Sequence, residues 1–247
     1  MNKILKTPSF ELAVYVKGDP KSTKLAIIIP GRLDSKDYVN NISHVNHLAD
    51  QGYLALSFDP PGTWESPGSI EIYNTTNYLK AINELITYFG DKPTLLIGHS
   101  RGGTVAMLAG IDNPNVTGFI AIMSYYGAPS EPSEESKKQG WQDENRDFPP
   151  GETKSKVMKH YKLPMSYFED GAHYDALEGL KGCKKPKLFF YGILDSINDT
   201  EDVKKMYDAA SKPKAIYAVN TEHDYRYHPE IIKEINKAIN TFLDNKL

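Results

Sequence analysis

Leu95-Leu96-Ile97-Gly98-His99-Ser100-Arg101-Gly102-Gly103-Thr104 decides how this chain is read. A short apolar run enters Gly-x-Ser-x-Gly and passes at once into a small-residue pattern of helical type. Such a sequence sets its serine on a tight strand-to-helix turn, with the hydroxyl raised above the sheet edge. Gly98 and Gly102 let the helix and the neighbouring strands approach with no Cβ between them. The helix that starts there brings unpaired backbone N–H groups and a positive dipole end to the hydroxyl. Negative charge developing on a substrate oxygen would meet donors already in place.

Outward from this turn, short apolar runs alternate with amphipathic stretches. Upstream, residues 11–16 alternate as a partly exposed strand, 25–29 is a continuous apolar run suited to a strand buried on both faces, and 53–58 is the next strand. Helices are predicted over 38–51 and 72–89, the second with Tyr78, Leu79, Ile82, Leu85, Ile86 and Phe89 at helical spacing. Downstream come a helix over 101–111 and strands over 119–124, 187–192 and 215–219. A helix over 200–210 and a C-terminal helix opened by Pro229 complete the pattern. This rhythm predicts an α/β fold with a parallel, doubly wound sheet. It breaks only at 128–165, a charged insertion too long for an ordinary connection. Two helices are expected in it, over 133–140 and 153–161; with Trp141, Phe148, Tyr161 and Met165 beneath a solvated face they would form a lid, the alternative being a floppy surface excursion.

Bulk composition narrows the function classes. At 247 residues the chain is expected to form one domain carrying that insertion. A net charge of −3 gives no reason to expect nucleic acid or an anionic membrane as a partner. Cys183 is the lone cysteine, so no internal disulfide forms, and no Cys/His cluster implies zinc. The first residues show no apolar leader segment and no run is long enough to span a bilayer, so a cytoplasmic location is expected.

A serine hydroxyl is a weak nucleophile at neutral pH and needs a base, which in turn needs an acid to hold its tautomer. In a parallel sheet these groups belong in loops beyond the carboxyl ends of strands. Asp195 follows one late strand and His223 the next, giving the order Ser100, Asp195, His223. At this point the chain resembles the α/β-hydrolase superfamily, over roughly residues 10–245. Gly98-His99-Ser100-Arg101-Gly102 is similar to its nucleophile elbow, Gly192-Ile193-Leu194-Asp195 to its strand-end acid, and Glu222-His223-Asp224 to its histidine loop. Asp59-Pro60-Pro61-Gly62-Thr63-Trp64-Glu65-Ser66 is similar to the family's Asp-x-x-Gly-x-Gly-x-Ser turn, with Trp64 where a glycine is usual. The resemblance implies a mostly parallel twisted sheet of seven or eight strands, helices on both faces and a short helical lid. It also implies oxyanion donors at the backbone N–H groups of Arg101 and Arg32, with Leu33 the alternative, in a loop where Pro30-Gly31 replaces the common His-Gly.

Rival assignments follow from the same residues. Asp199 opens a helix and reads as an N-cap rather than the acid. His228 precedes Pro229 and reads as structural, and His99 points away from the serine. His44, His47, His160 and His173 have no matching partners, while Glu222 and Asp224 flank the base in a loop. The Arg32 and Arg101 side chains either face an anionic substrate or pair outward with Asp34, Asp59 or Glu65. Trp64 and Trp141 are the aromatics expected to form an apolar substrate wall. The expected activity is hydrolysis of a carboxylic ester of a small or medium-sized molecule through an acyl-enzyme, with no cofactor and no metal. Thioesterase and aminopeptidase or amidase chemistry use the same groups, the peptidase with Glu134, Glu135 or Asp143 as amine binder. A silent binding protein on the same fold is the reading from another class.

Overall fold

The computed structural model describes residues 2–246. Its strands are β1 (Asn2–Lys6), β2 (Glu11–Lys17), β3 (Leu25–Ile29), β4 (Leu54–Phe58), β5 (Thr94–His99), β6 (Val116–Ile122), β7 (Trp141–Asp147), β8 (Met158–Pro164), β9 (Lys187–Gly192) and β10 (Lys214–Val219). The helices are α1 (Val39–Asp50), α2 (Thr75–Tyr88), α3 (Arg101–Asp112), α4 (Glu134–Gln139), α5 (Met165–Gly171), α6 (Leu177–Gly182), α7 (Thr200–Ala209) and α8 (Pro229–Lys246). Eight strands form one sheet in the order β1-β2-β4-β3-β5-β6-β9-β10, while β7 and β8 pair separately as an antiparallel hairpin. From β4 to β10 every pairing is parallel, and β2 and β1 are added antiparallel at one edge.

Strand residues alternate between two cores because successive side chains point to opposite faces. Ile27, Leu56, Leu96, Phe119 and Phe189 face α2, α3, α6 and α7, where Tyr78, Ile82, Val105, Leu180 and Met206 meet them. Ile28, Ala55, Ile97, Ile120 and Phe190 face α1 and α8, packing on Val45, Leu48, Ile232, Ile235 and Ile239. β3, β4 and β5 are buried along their whole length, which is why they carry apolar runs rather than alternation. All the parallel strands end on one side, and the loops after β3, β5, β9 and β10 converge there.

Three differences from the sequence reading have physical causes. Residues 158–164 are a strand, not the end of a helix over 153–161: Tyr161 and Leu163 are buried while His160 and Lys162 are exposed, an alternation of period two. Residues 2–6 form an edge strand whose interleaved lysines gave no apolar run. The helix expected over 72–89 begins at Thr75, because Asn74 caps it by accepting from the Asn77 N–H at 2.8 Å. The insertion therefore consists of one short helix, α4, and the β7–β8 hairpin. The sequence reading left α5 and α6, which follow it, unassigned.

Candidate active site

Ser100 stands between β5 and α3 with φ 52° and ψ −126°, in the left-handed half of backbone space. A conformation of this kind costs about 1–3 kcal/mol and persists only where surrounding packing dictates it. Here the packing does. A Cβ on Gly98 would lie 2.1 Å from the Gly102 carbonyl oxygen, and one on Gly102 would lie 2.1 Å from that of Ile29. The Ser100 N–H donates to the Ile122 carbonyl at 2.9 Å, tying the turn to β6. The helix, the turn and three strands thus hold the hydroxyl in one place.

Ser100 Oγ lies 2.9 Å from His223 Nε2, and His223 Nδ1 lies 2.9 Å from Asp195 Oδ2. The other carboxylate oxygen of Asp195 accepts from the N–H groups of Ile197 (2.8 Å) and Asn198 (3.1 Å). Burial pushes the Asp195 carboxyl upward, but the bond to His223, the His223 charge and those two N–H groups outweigh it and hold the carboxyl below its ordinary value. The three residues predicted from spacing are therefore brought together in hydrogen-bonded sequence.

The rivals lie elsewhere. Asp199 caps α7, accepting from the Glu201 N–H at 2.9 Å. His228 sits 3.5 Å from Glu222 and 3.7 Å from Glu230, outside the cavity. His44 is buried between Asn236 (2.7 Å) and Tyr225 (2.8 Å), and burial pushes its pKa down to about 4. His47 contacts Asn240, and His160 and His173 are exposed. His99 turns from the serine as expected, placing Nε2 3.0 Å from the His223 carbonyl oxygen.

The loop after β3 forms a turn in which the Asp34 N–H donates to the Gly31 carbonyl at 3.1 Å. The Arg32 carbonyl accepts from Arg146 Nε (2.9 Å), the Leu33 N–H donates to the Tyr73 hydroxyl (3.1 Å), and the Leu33 carbonyl accepts from the Trp64 indole (2.8 Å). From the Gly31 carbonyl to the Asp34 N–H, the Arg32 N–H alone donates to no acceptor among the described residues. Leu33, the alternative donor, is thereby occupied. The Arg101 N–H is likewise free, as the first N–H of α3 must be.

A cavity of about 870 Å³ opens over Ser100 and His223, lined among others by Arg101, Tyr125, Arg146 and Ile197. Neither Trp64 nor Trp141 lines it, contrary to the expected apolar wall. Trp64 adopts φ 48°, the conformation a glycine would take at this point of the turn, and its ring meets Tyr38, Phe148 and Tyr161 edge-on. It buttresses the loop after β3. Trp141 lies at the start of β7 under the Lys162 ammonium. Glu134, Glu135 and Asp143 also stand outside the cavity.

The arginines are held by partners the sequence did not suggest. Arg32 pairs with Glu144 at 3.0 Å, while Arg101 donates to the Gly127 carbonyl at 2.9 Å and to Thr75 Oγ1. Asp59 and Glu65 instead hold the buried Lys36 (3.2 and 2.5 Å), and Asp34 faces His99 and Arg146. Sequence reasoning missed Glu144, Arg146, Asp147 and Arg226 as site residues. The first three lie on β7, whose Gln-Asp-Glu-Asn-Arg-Asp run is polar on both faces and carries no periodic signal. Among the described residues no group of three or more His, Cys, Asp or Glu side chains is arranged to hold a metal ion, and no helix is long and apolar enough to cross a membrane.

Residues 26–148, about half the chain, match the family model described as alpha/beta hydrolase fold. The palmitoyl-protein thioesterase ABHD10 of Rattus norvegicus, named as mitochondrial, is 22% identical over 234 residues, 90% of this chain and 75% of that one. Among solved structures, DcsB in complex with its substrate analogue superposes with a TM-score of 0.79 at 16% identity, covering 100% of both chains. The alpha/beta hydrolase domain-containing protein 10 from mouse gives 0.75 at 19% identity, covering 99% of this chain and 98% of the other. Sequence match and superposition agree with the strand order and the strained turn after β5: the chain belongs to the α/β-hydrolase superfamily of hydrolytic enzymes.

Proposed function

We propose that the protein hydrolyses carboxylic esters of small or medium-sized molecules through an acyl-enzyme. Ser100 attacks the ester carbonyl while His223 takes its proton at Nε2, and Asp195 holds the imidazole tautomer and steadies the imidazolium. The backbone N–H groups of Arg101 and Arg32 receive the oxyanion. His223 then gives its proton to the leaving alkoxide. A water molecule, deprotonated by the same ring, attacks the acyl carbon, and collapse of the second tetrahedral intermediate releases the acid and restores Ser100. The observation that carries this reading is the pair of 2.9 Å contacts from Ser100 Oγ through His223 to Asp195, beside two backbone N–H groups left without acceptors. The cavity volume supports the substrate size, since pockets for small molecules span about 300–1,000 Å³.

Thioesters are the second reading. The same groups act on them, and the relatives from rat, mouse and cattle are named palmitoyl-protein thioesterases. Peptidase chemistry is less favoured, because Glu134, Glu135 and Asp143, proposed to bind an amine, stand away from the cavity. A panel of p-nitrophenyl esters of increasing acyl length, run beside matched aryl thioesters and aminoacyl anilides, tests the order. Rapid ester turnover with slow anilide turnover is the expected result. Thioester turnover at least ten times faster than that of the matched ester moves the assignment to the second reading, and anilide cleavage without ester cleavage overturns both.

A further inference from the structure

Among the insertion side chains that line the cavity, Arg146 is the one that holds the backbone of the loop after β3. Arg146, on β7, places Nε 2.9 Å from the Arg32 carbonyl oxygen and 3.7 Å from Asp34 Oδ1. Its Nη1 donates to Glu144 (3.2 Å) and to the Asn145 carbonyl (2.8 Å), and Glu144 in turn pairs with the Arg32 guanidinium. Asp34 also faces His99 at 3.6 Å, so a single partly buried cluster touches the loop after β3, the serine turn and, through the His223 carbonyl, the histidine loop. Burial pushes the Asp34 carboxyl upward, but His99 and the Arg146 charge outweigh it and keep the carboxyl below its ordinary value.

The geometry of the turn explains why it needs a clamp. With Leu33 at φ 59° and the Asp34 N–H bonded to the Gly31 carbonyl, residues 31–34 have the arrangement of a type II turn, which favours glycine at its third position. Turning the Arg32–Leu33 peptide over would give a type I turn and relieve the leucine. Two bonds oppose that flip: Arg146 holds the oxygen of this peptide and the Tyr73 hydroxyl holds its N–H. The next peptide back carries the free Arg32 N–H, joined to the clamped one through the two soft dihedrals of Arg32.

We propose that Arg146 is a positioning residue that aims the Arg32 N–H at the oxygen of the scissile carbonyl by clamping the Arg32 carbonyl and the Asp34 carboxylate. The assignment rests on the acyl-enzyme reading above. It makes the insertion part of the oxyanion machinery, in addition to a cover over the cavity. Losing one oxyanion donor costs about 100- to 1,000-fold in kcat, and a misplacement of about 1 Å costs about 100-fold.

The test compares Arg146→Met and Arg146→Lys with wild type on one ester and on the thionoester of the same acyl group, whose C=S accepts hydrogen bonds poorly. For Arg146→Met we expect kcat on the ester to fall about 30- to 100-fold with KM within about threefold, and the ester-to-thionoester ratio of kcat to fall about tenfold. Arg146→Lys keeps the positive charge without the planar fork and falls between. A purely structural role lowers both substrates together and leaves the ratio unmoved. An unchanged ratio, or ester kcat within about threefold of wild type in both variants, overturns the assignment. If Arg146→Met fails to fold by thermal unfolding, Arg146→Lys decides on the same ratio. Ester turnover by wild type and its loss in Ser100→Ala test the underlying reading separately, so failure there is distinguishable from an unmoved ratio.

Discussion

Replacing Asp195 with asparagine exchanges one carboxylate oxygen for an NH₂ group and has a consequence the structure allows to be worked out. Oδ1 of Asp195 is already engaged by the Ile197 and Asn198 N–H groups, which an amide oxygen satisfies and an amide NH₂ cannot. In Asp195→Asn the NH₂ therefore faces His223 Nδ1, at the 2.9 Å now spanned to the carboxylate. The ring must then accept at Nδ1 and carry its proton on Nε2, 2.9 Å from Ser100 Oγ. A ring so protonated donates to the serine and cannot take its proton. Loss of the base and of imidazolium stabilisation is worth about 10⁴ in kcat, or about 5 kcal/mol of barrier. The assay is steady-state hydrolysis of p-nitrophenyl butyrate from pH 6 to 10, with thermal unfolding run in parallel. Asp199→Asn, which keeps an equally good helix cap, is the control and should stay within about threefold of wild type. A loss below about tenfold in folded Asp195→Asn, or an equal loss in Asp199→Asn, refutes the reasoning. The Asp195–His223 pair also stabilises the fold. That contribution is complete above the ordinary carboxyl value of 3.8 and fades only as pH falls through the depressed one, so neutral-pH assays leave it intact.

Two further outcomes concern the scaffold around the site. Arg226, stacked on Tyr38 and Tyr227 at 4.4 and 4.5 Å, bonds Asp147 of the insertion at 2.8 Å with both partners buried. Arg226→Met leaves that carboxylate without its cation and should cost about 3–5 kcal/mol, lowering Tm by about 10 °C in calorimetry; a shift under about 2 °C contradicts a stabilising role for the pair. His44 donates from Nδ1 to Asn236 and accepts at Nε2 from Tyr225, leaving no site for a second proton. With its pKa pushed from 6.5 to about 4 by burial, the unfolded chain binds that proton first, so stability falls by about 3 kcal/mol as pH drops from 6.5 to 4. Denaturation of His44→Gln at pH 7, 5.5 and 4.5 should lose this part of the slope, and an unaltered slope contradicts it.

What could be read from sequence was what is encoded locally. The turn after β5 declares itself because two glycines must sit where a Cβ would strike backbone at 2.1 Å. Asp195 and His223 were legible because each follows a short apolar run that reads as a strand, β9 buried and β10 at the sheet edge. The insertion was not, for an equally physical reason. On β7, Glu144 and Arg146 meet charged partners on one face and Asp147 meets Arg226 on the other, beside the exposed Asp143 and Asn145, so the strand leaves no apolar period to detect. Trp64 misled in another way. Its aromatic ring suggested a substrate wall, yet its place in the turn demanded a left-handed backbone, and its indole serves the Leu33 carbonyl. Partners separated by more than a hundred residues, as Arg146 and Arg32 are, leave no mark on the local pattern of either.

Covalent labelling checks whether Ser100 is the nucleophile. Wild-type protein treated with a fluorophosphonate should gain one adduct per chain, mapped by peptide mass to Ser100, with ester turnover lost in step with labelling. Ser100→Ala should remain unlabelled and fold normally, with kcat reduced by about four to six orders of magnitude. Turnover persisting in folded Ser100→Ala, or an adduct mapped to another residue, would contradict the account.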